Sequence, residues 1–223
     1  MSPASPLPTP VILLTGFEPF GGDSLNPSWE VALALNGALV AGARVVSVCL
    51  PCRFGESLVE LRQALRLHRP ALVLCLGLAA NRAELSLERL AVNVDDARIP
   101  DNAGQQPVDQ PVVAGAPVAY FSRLPIKAIV QGLQALGLPA GVSQSAGTFV
   151  CNHVYFGLMH ALRRRAQVRA GFMHLPLLPE MLAGPADGRF SLALAQQVAG
   201  VRHALELSLR LANDLPLSQG ALA

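Results

Sequence analysis

Three apolar runs alternate with two helix-like segments over the first third of the chain, and this alternation restricts the fold more than any other feature. The runs are 11–14, 44–50 and 71–76, and the segments 28–36 and 56–68 between them have helical character. Near-continuous apolar runs are typical of parallel strands that helices cover on both faces. The pattern therefore predicts a single-domain α/β fold, with three α/β/α layers around a twisted, mostly parallel central sheet.

The alternation continues to the end of the chain, around one long irregular segment. We expect a further strand at 84–94, helices at 124–136, 152–164 and 191–213, and strands at 140–142 and 168–174. Residues 95–117 are rich in Pro, Gly, Asn, Asp and Gln, and a loop of this length inside a compact domain is usually functional. We expect 1–10 to be a disordered lead-in, 11–215 to form one domain, and 216–223 to be a flexible tail.

Composition argues against several classes of partner and location. Hydrophobic residues make up 52% of the chain, charged residues 14%, and the net charge is +2. So small a charge gives no reason to expect nucleic acid or an anionic membrane as a partner. No run approaches the roughly 20 apolar residues of a membrane span. Because 1–10 lack the basic region of a signal peptide and four cysteines make no disulfide scaffold, we expect a reduced, cytoplasmic protein.

Cys151 is a candidate for chemistry because it lies where a predicted helix begins. A turn-prone stretch, 143–148, precedes it, and an apolar, helix-compatible stretch follows it. The free N–H groups and the dipole at a helix N-terminus favour an anion, so we predict a thiol that loses its proton readily. His174 ends a later predicted strand, where open α/β sheets bind ligands. The pair is the minimum for nucleophilic catalysis, and an inert core thiol with a structural histidine is the alternative.

Two other groups of residues carry weaker signals. Cys49 and Cys52 have the C-x-x-C spacing of redox and zinc motifs. A zinc site needs a second pair of ligands, and a redox pair needs its first cysteine at a helix start, whereas Cys49 closes a strand. We therefore expect neither. His153 and His160 share one predicted helix, and we expect both to be structural.

Several long motifs follow one another in a fixed order. They are LLTGFEPFGG with NPSWE behind it, LERLAVNVDDARIPDNAGQQP, LPIKAIV, SAGTFVCNHVYFGLMH and GFMHLPLLPE. Over about residues 11–211 the chain resembles pyroglutamyl peptidase I, a family of cysteine peptidases also called pyrrolidone-carboxylate peptidases. The resemblance implies hydrolysis of the bond after an N-terminal pyroglutamate through a thioester acyl-enzyme. It also implies N-terminally pyroglutamylated peptides as substrates, no metal or other cofactor, and a homotetramer.

The resemblance assigns roles residue by residue. It implies that Cys151 is the nucleophile and that His174 is the base, which later protonates the leaving amine. Glu88 is the acidic third member, which orients the imidazole and stabilises its charged form. The backbone N–H of Cys151 is expected to hold the oxyanion, with Arg98 as a second donor or a substrate contact.

The resemblance further implies an apolar pocket for the pyroglutamyl ring, a neutral lactam with no free α-amino group. The positions that match the pocket of the family are Phe17, Phe20, Ile99, Phe149 and Val150. The first two lie in a glycine-containing turn that lacks the pattern of a phosphate or dinucleotide loop. Taken alone, they either line a pocket or fold into the core. We expect the loop segment 103–116 to border or cover the site.

Two residues depart from the pattern of the family. Where many members read GQAGGR, this chain reads GLAANR at 77–82. Leu78 offers no side-chain amide to the lactam, a loss of about 1–3 kcal/mol unless the backbone replaces it. Asn81 replaces a glycine, and Asn tolerates left-handed backbone. A non-catalytic lactam-binding protein is therefore the alternative function. A nucleoside phosphorylase-like enzyme has a similar architecture, but no phosphate motif is present.

Overall fold

The computed structural model of the chain describes residues 9–184 and 187–220. Residues 1–8 of the expected lead-in, and 221–223 of the expected tail, lie outside the described residues. Within the tail, the carbonyl of Gln219 accepts hydrogen bonds from Arg89 at 2.9 Å and from Gln144 at 3.3 Å. The chain therefore lies against the domain as far as Gln219.

The described elements alternate as the sequence predicts. The strands are β1 Val11–Phe17, β2 Leu39–Val40, β3 Ala43–Leu50, β4 Leu72–Leu78, β5 Leu85–Glu88, β6 Leu90–Val92, β7 Ala119–Phe121, β8 Ala140–Ser143 and β9 Arg169–Leu175. The helices are α1 Pro27–Leu35, α2 Glu56–His68, α3 Ile126–Ala135, α4 Val150–Ala161 and α5 Leu194–Arg210, with a 3₁₀ turn at Pro179–Met181. The expected strand at 84–94 is two strands, because β5 and β6 belong to different sheets.

The large sheet has the strand order β2-β3-β1-β4-β9-β5-β8, and β6 pairs with β7 in a small second sheet. The pairs β3/β1, β1/β4, β4/β9 and β5/β8 are parallel, whereas β2/β3 and β9/β5 are antiparallel. The prediction of a mostly parallel sheet is therefore confirmed. Because β5 runs antiparallel to β9, the carboxyl end of β5 lies beside the middle of β9, and not beside the carboxyl end of β9.

Helices cover both faces of the large sheet and make two separate cores. One core contains residues of α1, α3 and α5, and the other contains residues of α2 and α4. Strand residues alternate between them: Leu74 and Leu76 belong to the first core, and Val73 and Cys75 to the second. This is the three-layer arrangement that the apolar runs predict. None of the helices in the described part of the chain combines the length and apolar character that a bilayer crossing requires.

The end of β1 approaches the start of α1 closely. A methyl group at Gly16 would lie 2.3 Å from the carbonyl oxygen of Ser28, so only glycine fits there. The side chain of Asn26 caps α1 by accepting from the Ser28 N–H at 3.1 Å, and the Ser28 hydroxyl accepts from the Phe17 N–H at 2.9 Å. These bonds fix the turn that carries Phe17 and Phe20.

Candidate active site

Cys151 is the second residue of α4, which begins at Val150, two residues earlier than the predicted start at 152. Phe149 precedes the helix in extended conformation and provides no side-chain cap, so the first N–H groups of α4 have no partner within the helix. Asn152 anchors this helix start. Its amide oxygen accepts from the Val92 N–H at 2.9 Å, and its amide nitrogen donates to the Val92 carbonyl at 2.8 Å.

The residues beneath α4 are placed by strand alternation. Gly77 on β4 pairs in register with His174 on β9. A methyl group at Gly77 would lie 2.8 Å from the Sγ atom of Cys151 and 2.8 Å from the ring of Phe172. The absence of a side chain at Gly77 therefore makes the space that the thiol occupies, directly beside the strand pair that carries His174.

His174 and Glu88 form a buried, hydrogen-bonded pair. The Nδ1 atom of His174 lies 2.7 Å from Oε1 of Glu88, and the two residues are 4% and 0% exposed. The Nη1 atom of Arg82 donates to the same carboxylate oxygen at 2.5 Å, and its Nη2 donates to the Ser145 carbonyl at 3.3 Å. A buried carboxylate is costly unless it is paired, and Arg82 supplies the permanent positive charge.

The surroundings of Glu88 keep it ionised. Burial by itself raises the pKa of this carboxyl, but the hydrogen bond and charge of His174, the Ser143 hydroxyl and the Arg82 guanidinium outweigh it. The pKa of Glu88 is therefore lower than its ordinary value. An ionised Glu88 accepts the Nδ1 proton of His174, which leaves Nε2 as the nitrogen that can receive a proton from elsewhere.

The thiol does not have the low pKa that its position at a helix start predicts. Burial raises the pKa of Cys151 well above its ordinary value, and the neighbouring Cys52 thiol and Glu88 carboxylate add to this, against the Arg82 guanidinium. The expectation of a readily ionised thiol is therefore wrong for this structure, because loss of solvent outweighs the favourable field. A protonated thiol needs a base, and His174 is the nearby group that can serve as one.

A small apolar cavity of about 290 Å³ opens at Cys151. It is lined by Phe17, Phe20, Gly21, Asp23, Leu25, Asn26, Cys52, Leu78, Ala80, Phe149 and Cys151. The rings of Phe20 and Phe149 lie 5.4 Å apart between centroids and form one wall. The predicted residues Phe17, Phe20, Leu78 and Phe149 are thus brought together beside the thiol.

A wider cleft of about 710 Å³ adjoins the small cavity and shares Leu78, Ala80, Phe149 and Cys151 with it. It is lined by 78–82, Asp96, Arg98, Ile99, 145–149, Cys151 and His174. Arg98 and Ile99, which the resemblance places at the substrate, therefore border this cleft and not the small cavity. Asp96 and Arg98 are exposed, so the cleft has a charged rim.

The structure departs from two of the pocket predictions. Val150 is 0% exposed and belongs to the core between α4 and the sheet, so it lines neither cavity. Residues 105–107 and 110–112 line a separate hollow beside His153, whereas the loop residues that border the cleft are Asp96, Arg98 and Ile99. The expectation that 103–116 borders or covers the site is therefore not met, because residues of this segment line the hollow beside His153 and neither of the two cavities at Cys151.

Sequence reasoning assigned no role to two residues of the site. Arg82 was part of the quoted GLAANR motif, but its pairing with Glu88 depends on the approach of β5 to the loop after β4. Cys52 was considered only for redox or metal chemistry, yet it lines the small cavity. Its position just after a strand, at the carboxyl edge of the sheet, was the available signal.

The C-x-x-C cysteines are free thiols. Burial, with the charge of Glu18, raises the pKa of Cys49 to about 11 and, with Glu18 and Asp101, that of Cys52 to about 12. Among the residues that the structure describes, no group of three or more potential ligands could hold a metal ion. His160 bonds through Nδ1 to the Tyr120 hydroxyl at 2.9 Å, away from both cavities.

Comparison with known proteins identifies the family. A family model described as "Pyroglutamyl peptidase" matches residues 11–211. A pyrrolidone-carboxylate peptidase of Chromobacterium violaceum is 58% identical over 203 residues, covering 91% of this chain and 94% of the relative. One of Yersinia pestis is 49% identical over 212 residues, covering 95% and 98%.

Solved structures agree with the sequence comparisons. The crystal structure of pyroglutamyl peptidase I from Bacillus amyloliquefaciens superposes with a TM-score of 0.90 at 41% identity, over 94% of this chain and 100% of that one. The pyrrolidone carboxyl peptidase of Thermococcus litoralis gives 0.89 at 36% identity, over 94% and 99%. The α/β fold predicted from the sequence is therefore shared with these enzymes.

Proposed function

This chain belongs to the pyroglutamyl peptidase family of cysteine peptidases, and we propose that Cys151, His174 and Glu88 together remove an N-terminal pyroglutamate from peptides. The observation that carries the proposal is the position of Cys151 where two adjoining cavities meet, beside the buried His174–Glu88 pair. A scissile bond that spans the two cavities would pass over the thiol. The acyl group then lies on one side and the leaving amine on the other.

The first half of the reaction forms a thioester. Nε2 of His174 takes the thiol proton as Sγ of Cys151 attacks the carbonyl carbon of the pyroglutamyl residue. The oxyanion that forms is held by the free N–H groups at the start of α4, and one such donor typically contributes about 3–4 kcal/mol. The C–N bond then breaks, and the imidazolium returns its proton to the leaving nitrogen.

The second half releases the product and restores the thiol. Water gives a proton to Nε2 of His174 as its oxygen attacks the thioester carbonyl. The C–S bond breaks, and the departing sulfur takes the proton from the imidazolium. Glu88 accepts from Nδ1 throughout and stabilises each imidazolium stage, while Arg82 keeps Glu88 ionised.

The small cavity suits the pyroglutamyl ring. Its walls are mostly aromatic and aliphatic, with Asp23 and Asn26 as polar lining residues, and its volume of about 290 Å³ is at the lower end of ordinary ligand pockets. Transfer of a neutral lactam from water into such a cavity costs far less free energy than transfer of a charged α-amine. Leu78 contributes apolar surface but no hydrogen bond to the lactam, so the backbone or the polar lining residues Asp23 and Asn26 must satisfy the ring amide.

The wider cleft suits the rest of the peptide. It is open and has the exposed charges of Asp96 and Arg98 at its rim. Exposed charges of both signs contribute little to binding. We therefore propose broad acceptance of the residue that follows pyroglutamate.

We also propose a cytoplasmic homo-oligomer, a tetramer by resemblance to the family. Val118 and Phe121, next to and within β7, are 87% and 69% exposed, which supports coverage by another subunit. Free thiols support a reducing compartment. Sedimentation equilibrium and cell fractionation test the two statements, and a monomer or a secreted protein would contradict them.

Release of a chromogenic amine from a pyroglutamyl amide tests the function. The wild type, Cys151→Ser and Cys49→Ser are compared in reducing buffer, since Cys49 is an exposed thiol that lines neither cavity. We expect turnover by the wild type and Cys49→Ser, and its loss in Cys151→Ser. A folded, reduced wild type that binds pyroglutamate without turnover would instead support the lactam-binding alternative.

A further inference from the structure

His153 lies two residues after Cys151 in α4, and both nitrogens of its ring form hydrogen bonds. Nε2 is 3.0 Å from the backbone nitrogen of Gly55, and Nδ1 is 2.7 Å from Oδ2 of Asp95. A backbone N–H only donates, so Nε2 is the acceptor and the ring proton is on Nδ1, which donates to Asp95. His153 is therefore held as a neutral ring in one tautomer.

Gly55, the residue that bonds to His153, is the last residue of a short segment that forms part of the wall of the small cavity. Residues 52–55, here called the wall turn, follow β3 and precede α2. Cys52 lines the cavity directly. The ring of Phe54 packs edge-on against Phe149, another lining residue, at 5.4 Å, and edge-on against His153 at 5.3 Å. A shift of the wall turn would therefore change the shape of the cavity.

The other hydrogen bonds to the wall turn come from the first residues of α2, which follow it directly, and from loops. The Cys52 N–H donates to Oε1 of Glu18 at 3.0 Å, and the Phe54 N–H donates to Oδ2 of Asp101 at 2.7 Å. Of the hydrogen bonds to the wall turn in the described part of the chain, the one to His153 alone comes from α4, the helix that carries the nucleophile. This bond therefore connects the wall turn directly to the helix that holds the thiol.

We propose that His153 is a positioning residue for substrate specificity: through Gly55 it fixes the wall of the small cavity relative to Cys151. Asp95 supports it by holding the tautomer that leaves Nε2 free to accept. The inference rests on the proposed function, because the group whose fit the cavity wall controls is the pyroglutamyl ring of the substrate. Loss of the bond loosens the fit of the acyl group without removing any group that takes part in the reaction.

Two amide substitutions separate the contacts of His153. In His153→Asn the short amide lies near the position of Nδ1 and still reaches Asp95, but it does not reach Gly55. In His153→Gln the amide oxygen lies near the position of Nε2 and accepts from Gly55. We expect His153→Asn to raise KM for a pyroglutamyl amide about ten-fold with kcat nearly unchanged, because uniform binding is lost. We expect His153→Gln to restore KM to within about three-fold of wild type.

Wild-type turnover is measured first, since its absence defeats the proposed function and not this inference. Given turnover, the two variants are compared by kcat, KM and thermal unfolding. Equal KM values for the two variants would overturn the proposal, as would a fall in kcat at unchanged KM. If His153→Asn does not fold, Asp95→Leu, which frees the ring from its tautomer, is expected to raise KM likewise, and an unchanged KM there would overturn the proposal.

Discussion

Gly77 provides the space for the nucleophile, and its replacement by alanine perturbs the site by a single methyl group. That methyl would lie 2.8 Å from Sγ of Cys151 and 2.8 Å from Cζ of Phe172. Favourable contacts between such atoms are about 3.5–4.0 Å, so roughly 1 Å must be recovered. Phe172 is 0% exposed and packed in the core, whereas Cys151 faces two cavities. Both contacts must be relieved, and of the two neighbours the thiol is the one with free space to move into.

A reacting atom displaced by about 1 Å costs on the order of 10²-fold in rate. We expect kcat of Gly77→Ala to fall by about that factor. KM should change little, because Gly77 is not among the residues that line either cavity. Overpacking typically costs about 1–3 kcal/mol of stability, so thermal unfolding must be measured alongside.

The assay is steady-state release of amine from a pyroglutamyl amide, with Gly200→Ala as the matched control. A methyl at Gly200 would lie 2.7 Å from Cδ1 of Leu85, a similar overlap in the core on the opposite face of the sheet. We expect Gly200→Ala to keep the wild-type kcat. If folded Gly77→Ala kept kcat within about three-fold of wild type, the packing of the thiol over Gly77 would be wrong.

Further predictions concern the charges and the cavity. Arg82→Gln removes a charge that lowers the pKa of Glu88, so the acid limb of kcat/KM against pH should move to higher pH, and an unmoved limb would contradict the pairing. The lowered pKa of Glu88 contributes stability that is present above the carboxyl's unfolded pKa and is lost as pH falls, so thermal unfolding of Arg82→Gln should approach wild type in acid. In His174→Ala, alkylation of Cys151 should still accelerate above pH 9, because burial raises the thiol pKa, and a plateau near neutrality would disprove this. Leu78→Gln should lower KM about ten-fold by adding an amide to the cavity, whereas a raised KM would show that the apolar surface matters more.

The helices and most of the strands could be predicted locally, because each has its own pattern of apolar residues in the sequence. The apolar runs gave the strands, and the range predicted for α2, 56–68, is the range observed. The order of the strands carried no such signal. Antiparallel β5 beside β9 depends on how the later strands return to the sheet, and the two-residue β2 is too short to show a pattern.

The sequence was sufficient to predict which residues form the candidate site, but not how deeply each is buried or which groups surround it. Cys151, His174 and Glu88 followed from motifs, and the structure places them together. Burial could not be anticipated: it reverses the expected shift of the Cys151 pKa and removes Val150 from the cavity wall. Arg82 meets Glu88 only six residues later, but through a loop whose path no local pattern shows, and His153 bonds to Gly55, 98 residues away.

Trapping the acyl-enzyme would give the plainest evidence for the mechanism. Wild-type protein is mixed with excess pyroglutamyl amide, quenched in acid within the first turnovers, digested, and analysed by mass spectrometry. We expect one pyroglutamyl group, as a thioester, on the peptide that contains Cys151. Continued turnover by a Cys151→Ala variant, or an acyl group on another residue such as Cys52, would contradict Cys151 as the nucleophile.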